Sequence, residues 1–138
     1  MDANEIHLEV QGHELDSFGH VNNAVYLNYL ESGRWHYFDK IGILDFMMKE
    51  RIYPVVIKLN IKYIKEMRMF SKFCVKSAWT IEGPYIVSKQ EIRMRQDGKE
   101  KVSARAVVKM ILVSEERIVQ DIPQVLYHAI AGPKQKDG

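Results

Sequence analysis

The sequence lacks the features that would cross-link a chain, anchor it in a membrane or mark it for export. Its 138 residues include one cysteine, Cys74, which has no second thiol for an internal disulfide and therefore suits a reducing compartment. It contains no run of about 18 apolar residues, so no transmembrane helix is predicted. Its first residues, which include Asp2 and Glu5, do not show the basic and then apolar pattern of a secretory signal. We therefore expect a cytoplasmic protein that does not enter a membrane.

Blocks of one charge are also missing. The 20 lysines and arginines nearly balance the 18 acidic residues, which gives a formal net charge of +2, and the basic residues are scattered along the chain. A mildly positive surface of this kind can attract a phosphate-rich ligand, but it does not indicate nucleic-acid binding. The sequence has no Gly-x-Ser-x-Gly elbow and no metal-ligand spacing among its histidines, so a serine hydrolase and a metal site are both disfavoured.

What the sequence does contain is the material of one soluble globular domain. Its 46% hydrophobic and 28% charged residues are typical of such proteins, and a chain of this length buries enough surface for a core. We assign residues 1–132 to a single domain and residues 133–138 to a polar C-terminal tail, for which we expect disorder. Cys74 lies in an alternating strand pattern and is expected to be a packed thiol.

Hydrophobic periodicity predicts three helices, of which the first is the longest. Between Asn23 and Ile41 one helical stripe is formed by Tyr26, Leu30, Gly33, Tyr37 and Ile41, with Leu27, Arg34 and Phe38 beside it. Because the flanks are also apolar, we expect this helix to be largely buried. Residues 43–49 are predicted to form a short second helix that ends before Pro54, and residues 122–131 a C-terminal helix.

Alternation of apolar and polar residues predicts five strands, over residues 6–10, 57–63, 72–81, 85–95 and 101–112. Gly83-Pro84 is a turn signal between the third and fourth strands, and Asp97-Gly98 is a hairpin signal between the fourth and fifth. Long alternating strands favour an antiparallel sheet with one solvated face. One long helix packed on such a sheet gives an α+β fold.

The run from Glu14 to Leu27 is the most informative segment of the chain. It reads ELDSFGHVNNAVYL and places a carboxylate, an imidazole and two carboxamides directly before the long helix. A helix N-terminus presents unpaired backbone N–H groups and the positive end of the helix dipole. The carboxylate of Asp16, facing those donors across a substrate-sized gap, is suited to an attack on a polarised carbonyl.

This run and the helix after it carry a resemblance to a known family through Asp16, Gly19, His20, Val21, Asn22, Asn23, Tyr26, Leu27, Tyr29 and Glu31. The chain resembles the acyl-CoA thioesterases of the 4-hydroxybenzoyl-CoA thioesterase family. The resemblance implies the hotdog fold, in which a long central helix is wrapped by a five- to six-stranded antiparallel sheet. It also implies that a fatty or aromatic acyl-CoA, or an acyl-carrier-protein thioester, is hydrolysed to the free acid by a homodimer or homotetramer. No cofactor is expected, because coenzyme A is part of the substrate.

The resemblance further implies roles for five residues of the run. Asp16 corresponds to the catalytic carboxylate, which acts either as a nucleophile on the thioester carbonyl or as a base for water. The backbone N–H of Asn23 would polarise the carbonyl, while we expect its side chain to be the N-cap of the helix. His20, Asn22 and Tyr26 are expected to line the substrate pocket, as Asn23 does.

Several alternatives stay open. Glu31 is a reserve candidate for the catalytic carboxylate, because a second hotdog lineage carries its carboxylate on this helix, although Glu31 is also spaced for a local ion pair with Arg34. Phe18 stands where plant-type carrier thioesterases, with Asp-x-Asn-x-His, and hotdog hydratases, with Asp-x-Asn-Pro-x-His, have an asparagine. This departure weakens the case for a catalytic network of three residues and argues against a hydratase. A protein that binds acyl-CoA or acyl carrier protein without hydrolysing it is the remaining alternative.

The phosphates of coenzyme A would need basic side chains at the mouth of such a site. The candidates are Lys62, Lys65, Arg68, Lys89, Arg93 and Arg95. The sequence does not rank them, because a solvated strand face carries the same pattern.

Overall fold

The computed structural model of the chain describes the backbone of residues 4–136 and the side chains of residues 4–132. Its elements, in chain order, are β1 (Glu5–Glu9), a 3-10 turn (Gly12–Glu14), α1 (Asn23–Lys40), α2 (Ile43–Glu50), β2 (Tyr53–Tyr63), β3 (Lys72–Glu82), β4 (Tyr85–Gln96), β5 (Lys99–Val113), β6 (Val119–Gln120) and α3 (Gln124–Lys136). No helix in this part of the chain combines the length and the apolar character needed to span a membrane.

The strands form one antiparallel sheet in the order β1-β3-β4-β5-β2, and the short β6 pairs with β5. Two tight hairpins join β3 to β4 and β4 to β5. At the second hairpin Asp97 and Gly98 have φ values of 54° and 74°, as the Asp-Gly signal predicts. The predicted α+β class and the antiparallel sheet of five to six strands are therefore confirmed.

Helix α1 lies against the inner face of this sheet, and one side of it is buried. Tyr26, Leu30, Gly33 and Tyr37 are buried, as the periodicity predicted. At Gly33 helix and sheet come so close that an added Cβ would lie 2.8 Å from Cγ1 of Val75. The prediction that α1 is largely buried is wrong on its opposite side, since Leu27 is 39% and Trp35 45% exposed. Periodicity identifies apolar positions, but it does not say whether a second layer covers them.

The predicted boundaries depart most from the observed ones at the start of β2 and at the end of α3. Strand β2 begins at Tyr53 rather than at residue 57, because Pro54 is tolerated in a strand at the edge of a sheet. Helix α3 begins at Gln124 and runs to Lys136, beyond the predicted end at residue 131 and into the predicted tail; residues 137 and 138 lie outside the described part. The 3-10 turn and β6 were not predicted. Cys74 is buried, as expected of a packed thiol, and burial raises its pKa.

Candidate active site

The segment that precedes α1 is held as a tight turn. The N–H of Asp16 donates to the carbonyl of His20 at 2.7 Å, and the N–H of Gly19 donates to the carbonyl of Asp16 at 3.1 Å. Gly19 has a φ of 80°, which only glycine adopts without strain. On either side of the turn Leu15 and Val21 form an antiparallel bridge. Asp16 therefore lies on a rigid hairpin-like loop and not on a free surface segment.

The carboxylate of Asp16 is positioned by this turn. Its Oδ1 accepts hydrogen bonds from the N–H groups of Phe18, at 2.8 Å, and His20, at 3.1 Å. Within the part of the chain that the structure describes, Oδ2 accepts none. Asp16 lines a depression of about 260 Å³ together with His20, Val21, Asn23, Tyr26, Tyr63, Ile64, Lys65 and Glu66. One oxygen thus fixes the side chain, and the other remains available for chemistry.

The N-cap of α1 is Asn22, so the prediction of Asn23 as the cap is wrong by one residue. The side-chain oxygen of Asn22 accepts from the N–H of Ala24 at 2.9 Å, and its backbone is extended. The reason is that the N–H of Asn22 donates to the carbonyl of Glu14 at 2.9 Å, which keeps this residue outside the helix. Asn22 does not line the depression, whereas Asn23 does.

Asn23 is consequently the first helical residue. The next two N–H groups, of Ala24 and Val25, are bonded to Asn22, but that of Asn23 has no acceptor among the described residues. Its carbonyl accepts a hydrogen bond from the hydroxyl of Tyr63 at 2.8 Å, which ties the helix end to the end of β2. The residue that carries this unpaired N–H, at the positive end of the helix dipole, therefore lines the same depression as Asp16.

Tyr26 forms the buried wall of the depression. Its hydroxyl and Oγ of Ser103 are 3.1 Å apart, and that Oγ donates to the carbonyl of Lys65 at 2.5 Å. Its ring packs edge-on against Tyr63, with the centroids 5.2 Å apart. Burial raises the pKa of the phenol, so it stays neutral and acts as a packing and hydrogen-bonding group.

His20 lies in the depression and is paired with a residue that the sequence did not single out. Its Nδ1 is 3.0 Å from Oε2 of Glu66, whose Oε1 is 3.5 Å from Nη2 of Arg68. The loop between β2 and β3 contributes Lys65 and Glu66, and the last residue of β2 is Tyr63. Only the closure of the sheet brings these residues to the site; the sequence offered Lys65 as one of six basic candidates, and no motif marks Tyr63 or Glu66.

Glu31 is exposed on α1, about 12 Å along the helix axis from Asn23, and does not line this depression. Within the described residues no ion pair of Glu31 with Arg34 forms. Arg34 is instead buried, where its Nη1 donates to Oε1 of Gln90 at 3.1 Å and burial lowers its pKa. Arg34 is therefore a structural group of the interface between α1 and the sheet.

The basic candidates are distributed over two regions. Lys65 lines the depression, and Arg68 and Arg95 lie beside it. Lys62 and Lys89 are at exposed strand positions and do not line it. Arg93 is occupied, because it pairs with Glu91 at 2.8 Å and with Glu100 at 2.9 Å.

Comparison with known proteins identifies the family. The model of the thioesterase-like superfamily matches residues 10–130, which is most of the chain. This chain belongs to the thioesterase-like superfamily. A 4-hydroxybenzoyl CoA thioesterase mutant, solved in complex with 4-hydroxybenzoyl CoA, superposes with a TM-score of 0.85 at 12% identity, covering 91% of this chain and 96% of that one. The resemblance found in the sequence and the hotdog thioesterase fold are thereby confirmed.

Two curated relatives are similar in sequence over part of their length. A chloroplastic acyl-acyl carrier protein thioesterase of Arabidopsis thaliana is 39% identical over 74 residues, which are 53% of this chain and 39% of that protein. The long-chain acyl-CoA thioesterase FadM of Escherichia coli is 39% identical over 56 residues, which are 41% of this chain and 42% of that protein. The chain thus matches about two fifths of the length of these relatives.

Proposed function

We propose that this protein hydrolyses an acyl thioester to the free acid and a thiol, with Asp16 as the reacting carboxylate. The observation that carries the proposal is that one depression is bordered by Asp16, whose Oδ2 accepts no hydrogen bond from the described residues, and by Asn23, whose N–H is unpaired among them. A thioester carbonyl placed between them would accept the N–H on its oxygen and present its carbon to the carboxylate or to a water beside it.

Two chemical routes fit this placement. As a general base, Asp16 takes a proton from water while the oxygen attacks the carbonyl carbon; the C–S bond then breaks and the thiolate leaves with a proton. As a nucleophile, Asp16 forms a mixed anhydride and releases the thiolate, and water then hydrolyses the anhydride. In both routes the negative charge on the carbonyl oxygen develops at the N-terminus of α1, where the helix dipole stabilises it.

The relatives support a substrate class. One is named for acyl-acyl carrier protein and the other for long-chain acyl-CoA, and both substrates are acyl thioesters. We propose the same class for this chain. A binding protein without hydrolase activity is one alternative. A hydratase is disfavoured, because Phe18, which is 82% exposed, stands where hydratases have an asparagine.

The free edge of β2 supports a homo-oligomer, at least a dimer. Within the described residues no strand pairs with that edge, and Ile57 is 47% exposed on it. An unpaired strand edge with apolar side chains is a ready surface for a second copy. Because β2 ends at Tyr63, a partner joined there would lie beside the depression. Light scattering is expected to give at least twice the chain mass of 16.1 kDa, and a fully active monomer would refute the assembly.

The test of the function is the release of free thiol from a panel of acyl-CoA and acyl-carrier-protein thioesters. We expect turnover with at least one acyl class in this panel. Binding of the same thioesters without thiol release would favour the binding protein, and consumption of an enoyl thioester without thiol release would favour a hydratase.

A further inference from the structure

A second hollow, which we call the basic basin, lies beside the candidate active site. Its volume is about 440 Å³, and it is lined by Ile64, Lys65, Glu66, Arg68, Ser71, Met94, Arg95 and Gln96. Ile64, Lys65 and Glu66 also line the depression of Asp16, so the two hollows meet at the loop between β2 and β3. A ligand that occupied both hollows would pass over this shared loop.

The basin is lined by more cationic side chains than carboxylates. Arg68 makes one ion pair, at 3.5 Å to Glu66, and its side chain is 69% exposed. Within the described residues Lys65 and Arg95 make no ion pair; Glu100 lies opposite Arg95 in the pairing of β4 with β5, but its carboxylate is bound by Arg93 at 2.9 Å. The neighbouring Arg93 is different, because two carboxylates hold it at 2.8 and 2.9 Å. Two guanidinium groups and an ammonium group against one carboxylate make a site for an anion, and guanidinium is well suited to phosphate oxygens.

We propose that the basic basin binds the phosphate groups of a nucleotide-borne thioester, so that coenzyme A is the carrier that this site selects. The inference rests on the proposed function. The nucleotide phosphates lie against Arg68 and Arg95, and the pantetheine arm passes Lys65 and Glu66 to bring the thioester to Asp16. Coenzyme A carries a diphosphate and a separate ribose phosphate, whereas the arm of a carrier protein has a single phosphodiester, so a basin with three cationic groups fits coenzyme A better.

The test separates contacts in the basin from a general effect of charge. The double variant Arg68→Gln/Arg95→Gln removes two positive charges from the basin. Its matched control, Lys49→Gln/Lys89→Gln, removes two from exposed positions that line neither hollow. Both doubles therefore change the net charge equally.

The readout is the kcat/KM for an acyl-CoA divided by that for the same acyl-pantetheine, which lacks phosphate. In the basin variant we expect this ratio to fall by about 10-fold or more, through the KM for acyl-CoA, because charge-assisted hydrogen bonds are lost. In the control it stays within about twofold of the wild type. An equal fall in both doubles, or an equal loss on both substrates in the basin variant, would overturn the proposal.

A ligand without a thioester keeps this result apart from the proposed function. Adenosine 3′,5′-bisphosphate, titrated calorimetrically, is expected to bind the wild type and Asp16→Asn alike and to bind the basin variant at least about 10-fold more weakly. If no thioester is hydrolysed, the function fails, and this titration still decides the basin. Equal affinity for the basin variant and the wild type, or no binding to either, would refute the site.

Discussion

The substitution Asp16→Asn separates the chemical role of this residue from its structural role. In the native turn Oδ1 accepts two backbone N–H groups, at 2.8 and 3.1 Å. An asparagine side-chain oxygen can accept both, so the turn and the folded state should persist. What is lost is the negative charge and the second carboxylate oxygen, which is the one with no acceptor role in the described structure.

The expected cost falls on turnover. Loss of a general base or nucleophile should lower kcat by about 10² to 10⁴-fold, which is about 2.7 to 5.4 kcal/mol of transition-state stabilisation. The assay is thiol release at saturating acyl-thioester, with thermal unfolding of the same preparation as the check on folding. Asp16→Ala should in addition lose about 1–2 kcal/mol of folding free energy, because both N–H groups lose their acceptor.

Glu31→Gln is the control for the alternative carboxylate. Glu31 lies on the exposed side of α1 and lines no part of the depression, so this variant should keep its turnover. A folded Asp16→Asn protein with near wild-type kcat, together with an inactive Glu31→Gln protein, would transfer the chemistry to Glu31 and refute the role proposed for Asp16.

Three further outcomes are expected. Gly33→Ala should lower the free energy of unfolding by about 1–2 kcal/mol, because the added Cβ would lie 2.8 Å from Cγ1 of Val75 and this overpacking outweighs the gain in helix propensity. The control is Ser32→Ala on the exposed side of α1. An unchanged or raised melting temperature of Gly33→Ala would contradict the close packing. The KM for acyl-CoA should rise with salt concentration while kcat changes little, because salt screens charge contacts with the phosphates beyond about 8 Å at physiological ionic strength. A KM that does not depend on salt would mean that burial of the acyl chain dominates the affinity for the substrate. The hydrogen bond from Arg105 lowers the pKa of Glu91 below its usual 4.5, so its contribution to stability is present above that value and is lost as the pH falls through the lower folded pKa. The stability difference between wild type and Glu91→Gln should therefore shrink in acid, and chemical denaturation at several pH values measures it.

The sequence predicted the elements whose signals are local. The stripe through Tyr26, Leu30 and Tyr37 marked the buried side of α1, and Asp97-Gly98 marked its hairpin, because helix periodicity and turn chemistry depend on neighbouring residues. Of the residues expected to share a site, Asp16, His20, Asn23 and Tyr26 line one depression and Asn22 does not; their roles stay predictions.

Predictions from the sequence were wrong or missing where contacts between distant segments determine the structure. The N-cap moved from Asn23 to Asn22 because the N–H of Asn22 pairs with the carbonyl of Glu14, and either asparagine has the composition of a cap. Glu66 became the partner of His20 only because β2 and β3 close the sheet around α1. Ion pairs between distant segments have no periodicity, so no pattern in one sequence points to them.

The site draws its parts from separate lengths of chain. The carboxylate that we propose to react, the helix N-terminus and the buried tyrosine all lie between residues 16 and 26, whereas the rim toward the basin is built from the loop between β2 and β3 and from the end of β4. Mutation can therefore alter the rim without changing the segment to which we assign the reaction. A library restricted to residues 64–71 and 94–96 would vary which thioesters enter, while a chimera that exchanges residues 14–27 would replace the chemistry and keep the entrance.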